Sequence, residues 1–156
     1  MEDPEILLAD MEESHASGYA EILSDPATWY FLTDSGPKSK ADCLEKIRRN
    51  IQSTQEDTAR YWSIIREEEF AGFIAVHNLN EEEVAISYGV RPSYRRKGIA
   101  RAALQNVLAW EGLRGKCISI ATHEENKASF NLLQKSALSY KGFVETSVGK
   151  RHIFIR

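Results

Sequence analysis

The spacing of apolar residues in the first third of the chain predicts one short strand followed by two helices. Residues 5–10, EILLAD, have the composition of a strand. A first helix is predicted from Met11 to Leu23, and Asp25-Pro26 ends it because proline disfavours helical geometry in the residue before it. A second helix is predicted from Lys40 to Thr54. Its core-facing side carries apolar residues at helical spacing, namely Leu44, Ile47 and Ile51.

Three strand-like runs follow in the middle of the chain. They are YWSIIR at 61–66, FAGFIAVH at 70–77 and EVAISYGV at 83–90. The segments between them, EEE and NLNEE, are polar turns, so the pattern predicts an antiparallel meander of adjacent hairpins.

The last third of the chain alternates helices and strands. A helix rich in Ala and Leu is predicted from Gly98 to Trp110, and the apolar, β-branched run at 116–122 predicts a buried strand. A further helix from Asn126 to Leu138 precedes a closing hairpin, SYKGFVETS and RHIFIR, that turns at residues 148–150. The predicted order is β-α-α-β-β-β-α-β-α-β-β, which is a mixed α/β fold.

Length, charge and cysteine content narrow the class of protein. A chain of 156 residues is expected to form one domain, and no apolar run approaches the roughly 20 residues that span a bilayer. The start lacks the basic-then-apolar order of a secretion signal. Cys43 and Cys117 form neither a CxxC pair nor a disulfide framework, so a reducing cytoplasm is expected, with Cys117 in the core. No His, Cys and carboxylate set has metal-ligand spacing, and no metal is expected.

One basic stretch contrasts with the net charge of -3. RPSYRRKGIA, residues 91–100, lies between a predicted strand and the predicted start of a helix, where free N–H groups bind anions. Gly98 allows close approach of a ligand oxygen, and Arg95, Arg96 and Lys97 add cationic donors, so a pyrophosphate is the expected guest. The alternative is a solvated basic turn before an ordinary helix. Bulk binding of nucleic acid is not expected at a pI near 5.8.

R-R-K-G-I-A at 95–100 resembles the Q/R-x-x-G-x-G/A signature of the GNAT superfamily of acyl-CoA-dependent N-acetyltransferases. YGVRPSYRRKGIARAAL and ATHEENKASFNLLQK are similar to the family's two cofactor-binding blocks. The resemblance implies a central, mostly antiparallel mixed sheet with a splayed strand pair and flanking helices. It also implies acetyl-CoA as co-substrate. The residues implied to bind it are Gly89, Val90, Arg95, Arg96, Lys97, Gly98, Ile99, Ala100 and Asn126.

Y-x-V-x-P before the signature and N-K-A-S after it resemble the branch of ribosomal-protein N-terminal acetyltransferases. Residues 25–47 are similar to that branch's substrate-side region. By this analogy an aromatic cluster in that region lines a substrate groove, although aromatic clusters more often serve packing. Its members are Trp29, Tyr30 and Phe31.

The sequence also departs from the family at the expected catalytic positions. The family's usual tyrosine acid is replaced by Leu133, and the resemblance makes Ser129 the candidate acid or thiolate-stabilising donor; the alternative is a small helix residue bonded to its own backbone. The branch's glutamate is replaced by Ala85, so Glu83 becomes a possible base, or else a solvated glutamate at a strand end. His77 and His123 are interpreted as hydrogen-bonded loop histidines rather than bases.

The resemblance implies direct attack of an amine on the thioester, which needs positioning and oxyanion stabilisation more than a catalytic triad. The expected partners are acetyl-CoA and an amine acceptor, either a protein N-terminus or a small amine. A homodimer is possible, and neither nucleic acid nor membrane is expected. The alternative function is a GNAT-fold module that binds acyl-CoA as a sensor with little turnover.

Overall fold

The computed structural model describes residues 3–26, 38–147 and 149–156. Its strands are β1 (Leu7–Asp10), β2 (Ala59–Arg66), β3 (Glu69–His77), β4 (Glu83–Val90), β5 (Cys117–His123), β6 (Ser139–Thr146) and β7 (Gly149–Ile155). The α-helices in the described ranges are α1 (Ala16–Ser24), α2 (Lys40–Gln55), α3 (Ile99–Leu108) and α4 (Lys127–Gln134). The predicted order of elements and the mixed α/β class are confirmed.

The seven strands form one sheet in the order β1-β2-β3-β4-β5-β7-β6. All neighbours are antiparallel except β4 and β5, which run parallel. The parallel register covers three pairs and stops at Ala85 and Ser119. β4 continues to Val90 beside β3 alone, and β5 continues to His123 beside β7. The sheet therefore opens between these two central strands.

Helices cover the sheet on both faces. Consecutive strand residues point to opposite sides, so the strands contribute side chains to a core on each face. On one face α1 and α2 pack over Phe70 and Phe73, with Ile47 of α2 fully buried. On the other face α3 and α4 pack over the remaining core, with Leu133 of α4 fully buried. Its central members are Ile64, Ile74, Val76, Val84, Ile86, Ile118 and Ile120. The second core includes Val84 and Ile86 of β4, so it fixes this strand from the side of α3 and α4 and leaves its end at the opening.

Two predictions about the last third of the chain were wrong in detail. α4 ends at Gln134 rather than at Leu138, because the Ser136 hydroxyl donates to the Leu133 carbonyl and accepts from the Leu138 amide, which closes a turn. Cys117 is exposed rather than part of the core. β5 buries its residues alternately, so the apolar run 116–122 is a strand with one open face and not a strand buried on both sides.

Candidate active site

A cavity of about 590 Å³ lies beside the end of β4 that has no parallel neighbour. Four segments line it: the end of β4, the basic loop, the first turn of α3 and the first turn of α4. Of the residues expected to bind the cofactor, all but Lys97 line this cavity. Lys97 instead places its ammonium 5.6 Å from the centre of the Tyr94 ring. The topology thus brings together two sequence blocks, residues 88–101 and 125–132.

The floor of the cavity at its basic end is the start of α3. Gly98 is the N-cap of this helix and has a positive φ of 77°, a conformation that glycine adopts without strain. The first helical bond runs from the Ala102 amide to the Gly98 carbonyl, so the amides of residues 99–101 have no partner within the helix. No side chain caps them. These N–H groups and the helix dipole favour an anion.

The three basic residues of the loop have different roles. Arg95 is held in place by the protein, since its guanidinium donates to the Val90 carbonyl at 3.1 Å and to the Asp25 carboxylate at 2.6 Å. Arg96 has a positive φ of 62°, and its guanidinium has no hydrogen bond or ion pair with any described residue. Arg96 is therefore the loop cation that is most available to a ligand, whereas Arg95 fixes the loop to the end of β4.

At the other wall of the cavity, Asn126 and Ser129 form the start of α4. The Asn126 side-chain oxygen accepts a hydrogen bond from the Ser129 amide at 3.2 Å, a standard N-cap contact. This contact fixes the first turn, and Ser129 faces the cavity rather than its own helix. The Ser129 hydroxyl lies 2.7 Å from the Tyr88 hydroxyl of β4. One hydrogen bond thus joins the end of β4 to the first turn of α4.

Tyr88 is the functional candidate that the sequence did not indicate. It stands on β4 beside the opening and lines the cavity. Burial raises the pKa of its phenol, and the hydrogen bond with Ser129 offsets this only in part, so the hydroxyl stays protonated at neutral pH. The tyrosine that the family places seven residues after the asparagine is absent here. Leu133 at that position is fully buried in the core. Tyr88 supplies a phenol from a different element.

Glu83 is not brought to this cavity. It is the exposed first residue of β4, opposite Cys117, in the part of the sheet that is still paired. It lies five positions before Tyr88, a distance of about 17 Å along the strand. Its side chain also points to the other face of the sheet, because positions 83 and 88 differ by an odd number.

All the residues that line the cavity lie within a part of the chain that matches a known family. Residues 5–138 match the acetyltransferase (GNAT) domain family. The chain belongs to the GNAT acetyltransferases. None of the curated proteins with which it was compared matches it.

Solved structures of GNAT enzymes share the fold. The ribosomal L7/L12 α-N-protein acetyltransferase RimL in complex with coenzyme A has a TM-score of 0.84 at 19% identity, over 97% of this chain and 93% of that one. RimJ of Mycobacterium smegmatis with a CoA disulfide has a TM-score of 0.86 at 15% identity, over 98% and 82%. The microcin C7 self-immunity acetyltransferase MccE with acetyl-CoA and AMP has 0.83 at 16%, over 97% and 92%.

The other candidate residues have structural partners or lie elsewhere. His123 is buried, and its Nδ1 accepts a hydrogen bond from the Glu125 amide in the turn between β5 and α4. This agrees with the interpretation of a hydrogen-bonded loop histidine. The aromatic cluster at 29–31 lies outside the described residues. Within residues 3–26, 38–147 and 149–156, no group of three His, Cys or acidic residues could hold a metal. No helix in these ranges is long and apolar enough to cross a membrane.

The start of α3 allows a test of phosphate binding by the GNAT site. Gly98→Val is expected to weaken acetyl-CoA binding by about 10- to 100-fold, because it strains the positive-φ N-cap that orients the free amides of residues 99–101, and its Cβ would lie 3.3 Å from the Pro4 ring. Arg96→Glu is expected to weaken binding about tenfold at low salt and much less at 1 M salt, where charges are screened within about 3 Å. Isothermal titration calorimetry measures both effects.

The matched control for Arg96→Glu is Arg114→Glu. Arg114 is an exposed arginine that pairs with Glu111 outside the cavity, so this variant makes the same change in charge. It is expected to leave the affinity unchanged. Unaltered binding in both Gly98→Val and Arg96→Glu would remove the basic loop from the cofactor site.

Proposed function

We propose that this GNAT enzyme transfers the acetyl group of acetyl-CoA to a primary amine by direct attack, and that the acceptor is an α-amine of a protein or peptide N-terminus or a small amine. The observation that carries the proposal is the hydrogen bond between Tyr88 of β4 and Ser129 of α4. These hydroxyls line the same cavity as the free helix start that suits a pyrophosphate, which supports an acetyl-CoA site.

Each wall of the cavity has a separate role in this reaction. The start of α3 and Arg96 hold the pyrophosphate. The free edge of β4 at Gly89 and Val90 holds the pantetheine arm, since beyond Ala85 this edge has no neighbouring strand to occupy its backbone groups. The amide group of Asn126 contacts CoA from the side of α4. The thioester then lies at the Tyr88–Ser129 contact.

Ser129 acts on the leaving group. As the amine nitrogen bonds to the carbonyl carbon and the C–S bond breaks, negative charge develops on sulfur. The Ser129 hydroxyl donates a hydrogen bond to that sulfur and accepts one from the protonated Tyr88 phenol. Solvent completes protonation of the free thiol. A donor that acts on developing charge lowers the barrier rather than the Michaelis constant.

The acceptor class follows from the absence of a strong base in the described site. A basic amine must lose a proton before it attacks, and the required shift is smaller for an α-amine than for a lysine side chain. The relative RimL agrees with this choice, since it is an α-N-protein acetyltransferase.

The proposed function is tested by release of CoA thiol from acetyl-CoA in the presence of a panel of amines. The panel comprises lysine-free peptides with free N-termini, N-blocked lysine peptides, aminoacyl compounds and polyamines. Transfer to at least one α-amine, with mass spectrometry showing one added acetyl group, supports the proposal. Acetyl-CoA binding without turnover of any amine would favour the alternative, a sensor that binds acyl-CoA.

A further inference from the structure

A chain of three hydrogen-bonded side chains lies on the opposite face of the sheet from Tyr88. The Nε2 atom of His77 is 2.7 Å from the Ser87 hydroxyl, and its Nδ1 atom is 3.3 Å from the Tyr61 hydroxyl. The three residues come from β3, β4 and β2, which are adjacent in the sheet. All three side chains are partly buried rather than enclosed. None of them is used by the cofactor cavity.

The position of Ser87 connects these three hydrogen-bonded side chains to the site. Ser87 is the second residue beyond Ala85, where β4 separates from β5, so it stands at the edge of the opening. It is adjacent to Tyr88 in sequence, and adjacent strand residues point to opposite faces. Tyr88 and Ser129 therefore approach the opening from the side of α4, and Ser87 approaches it from the side of α1 and α2. A direct displacement needs such an arrangement, because the leaving thiolate and the incoming amine require separate polar partners.

We propose that Ser87 receives the incoming amine and passes its proton to His77, while Tyr61 holds the imidazole in the required tautomer. This assignment rests on the proposed acetyl transfer and identifies the groups that prepare its acceptor. With the ring proton on Nδ1, that N–H donates to the Tyr61 oxygen, and the Nε2 lone pair accepts from the Ser87 O–H. The ammonium N–H donates to the Ser87 oxygen. One proton moves from nitrogen to Ser87, and the Ser87 proton moves to Nε2.

The products of this transfer are a neutral amine, an unchanged serine and an imidazolium. The amine then uses its lone pair to form the new N–C bond and loses a second proton to solvent as the amide forms, while solvent protonates the departing thiolate. The imidazolium returns its proton to solvent after each cycle. No oxidant, metal or further reactant is required. His77 acts through Ser87, so it is a positioning and proton-accepting residue behind the group that contacts the substrate.

The surroundings of His77 keep it able to accept a proton at neutral pH. The polar and charged groups around its ring are Tyr61 from β2, Ser87 from β4 and the Lys46 ammonium from α2. Burial, and secondly Lys46, lower the pKa of His77 below 6.5. A group with a lowered pKa is neutral above that pH and becomes charged only as the pH falls through it. The relay is therefore available at pH 7 and is lost in acid.

The experiment measures kcat/KM from pH 6.5 to 9.5 for a lysine-free peptide with a free N-terminus, using wild type, His77→Gln and Ser87→Ala. At pH 7 only about a tenth of an α-amine with a pKa near 8 is neutral in solution. Both variants are therefore expected to lose about tenfold at pH 7. The loss should disappear above pH 9, where most of the α-amine is already neutral in solution.

His152→Gln is the matched control, because His152 also bonds to a tyrosine hydroxyl, that of Tyr140, and does not line the cavity. It is expected to keep the wild-type pH profile. Calorimetry should give the same acetyl-CoA affinity for all four proteins. Two variants guard against misfolding, since Ser87→Ala removes only one oxygen atom.

Three results would overturn the relay. One is a loss by the same factor at every pH, which a purely structural role would cause. Another is an unchanged rate at pH 7 in both variants. The third is acetylation of Ser87 when wild type is mixed with acetyl-CoA alone, seen by mass spectrometry, because it would make Ser87 a nucleophile. Absence of transfer by wild type to every amine is a different outcome, and it would overturn the proposed function together with the relay.

Discussion

Ser129→Ala is expected to lower kcat by about 100-fold while the acetyl-CoA Kd stays within about twofold, because the lost donor acts on charge that exists only in the transition state. Steady-state kinetics with a saturating amine measure kcat, and calorimetry measures Kd. The helix itself should persist, since the Asn126 cap bonds to the Ser129 backbone amide and not to its hydroxyl. Equal turnover in wild type and variant would exclude Ser129 from the reaction.

A double-mutant cycle tests whether Tyr88 acts through Ser129. Tyr88→Phe alone is expected to lower kcat about tenfold, because it removes one donor to the Ser129 oxygen. In the Ser129→Ala background the same change should cost almost nothing, since groups that act as a unit are not additive. Tyr140→Phe is the control, because it removes a hydroxyl bonded to His152 outside the cavity. Fully additive losses would show that Tyr88 works independently of Ser129.

The fold could be predicted from the sequence because its signals are local. Strands β2 to β4 are runs rich in β-branched and aromatic residues joined by polar turns, and the predicted meander is confirmed within two residues at each boundary. α3 and α4 were indicated by helical spacing beside the two family blocks. The exposure of Cys117 could not be predicted from such local signals. Whether an apolar run is covered on one face or on two depends on which helices pack above it.

The candidate site was only partly accessible to sequence analysis. The helix start at Gly98 has a local signature, and the cavity is lined by the predicted loop. The contact between Tyr88 and Ser129 joins residues 41 positions apart, and no spacing rule relates a strand residue to a helix residue at that separation. Arg95 illustrates the same limit. Its partner Asp25 is 70 positions away, so the sequence could not distinguish this anchored arginine from the available Arg96.

The candidate base shows that the alternation of a strand predicts which face a residue is on but not how far it lies from the site. Glu83 and Ser87 share a face of β4, and the sequence drew attention to Glu83 because it carries a carboxylate. The register shows why Ser87 is better placed: Glu83 lies within the paired part of β4, and Ser87 lies beyond its last paired residue, Ala85. The contact of Ser87 with His77 depends on the register of β3 with β4, which is a tertiary property.

The acceptor prediction follows from the weakness of the base. Presenting a neutral amine at pH 7 costs about 1.4 kcal/mol for an α-amine with a pKa near 8 and about 4.6 kcal/mol for a lysine side chain with a pKa near 10.4. A histidine with a pKa below 6.5 takes a proton more readily from the less basic group. The difference of about 3 kcal/mol corresponds to a preference of about 100-fold in kcat/KM for the α-amine.

The measurement compares two peptides of the same sequence length at pH 7 and equal acetyl-CoA. One has a free N-terminus and no lysine, and the other is blocked at its N-terminus and has one internal lysine. The first is expected to be acetylated about 100-fold faster, and the gap should narrow as the pH rises toward 10 because the lysine then supplies its own neutral form. Faster acetylation of the blocked peptide would contradict the assignment. It would require a base stronger than His77.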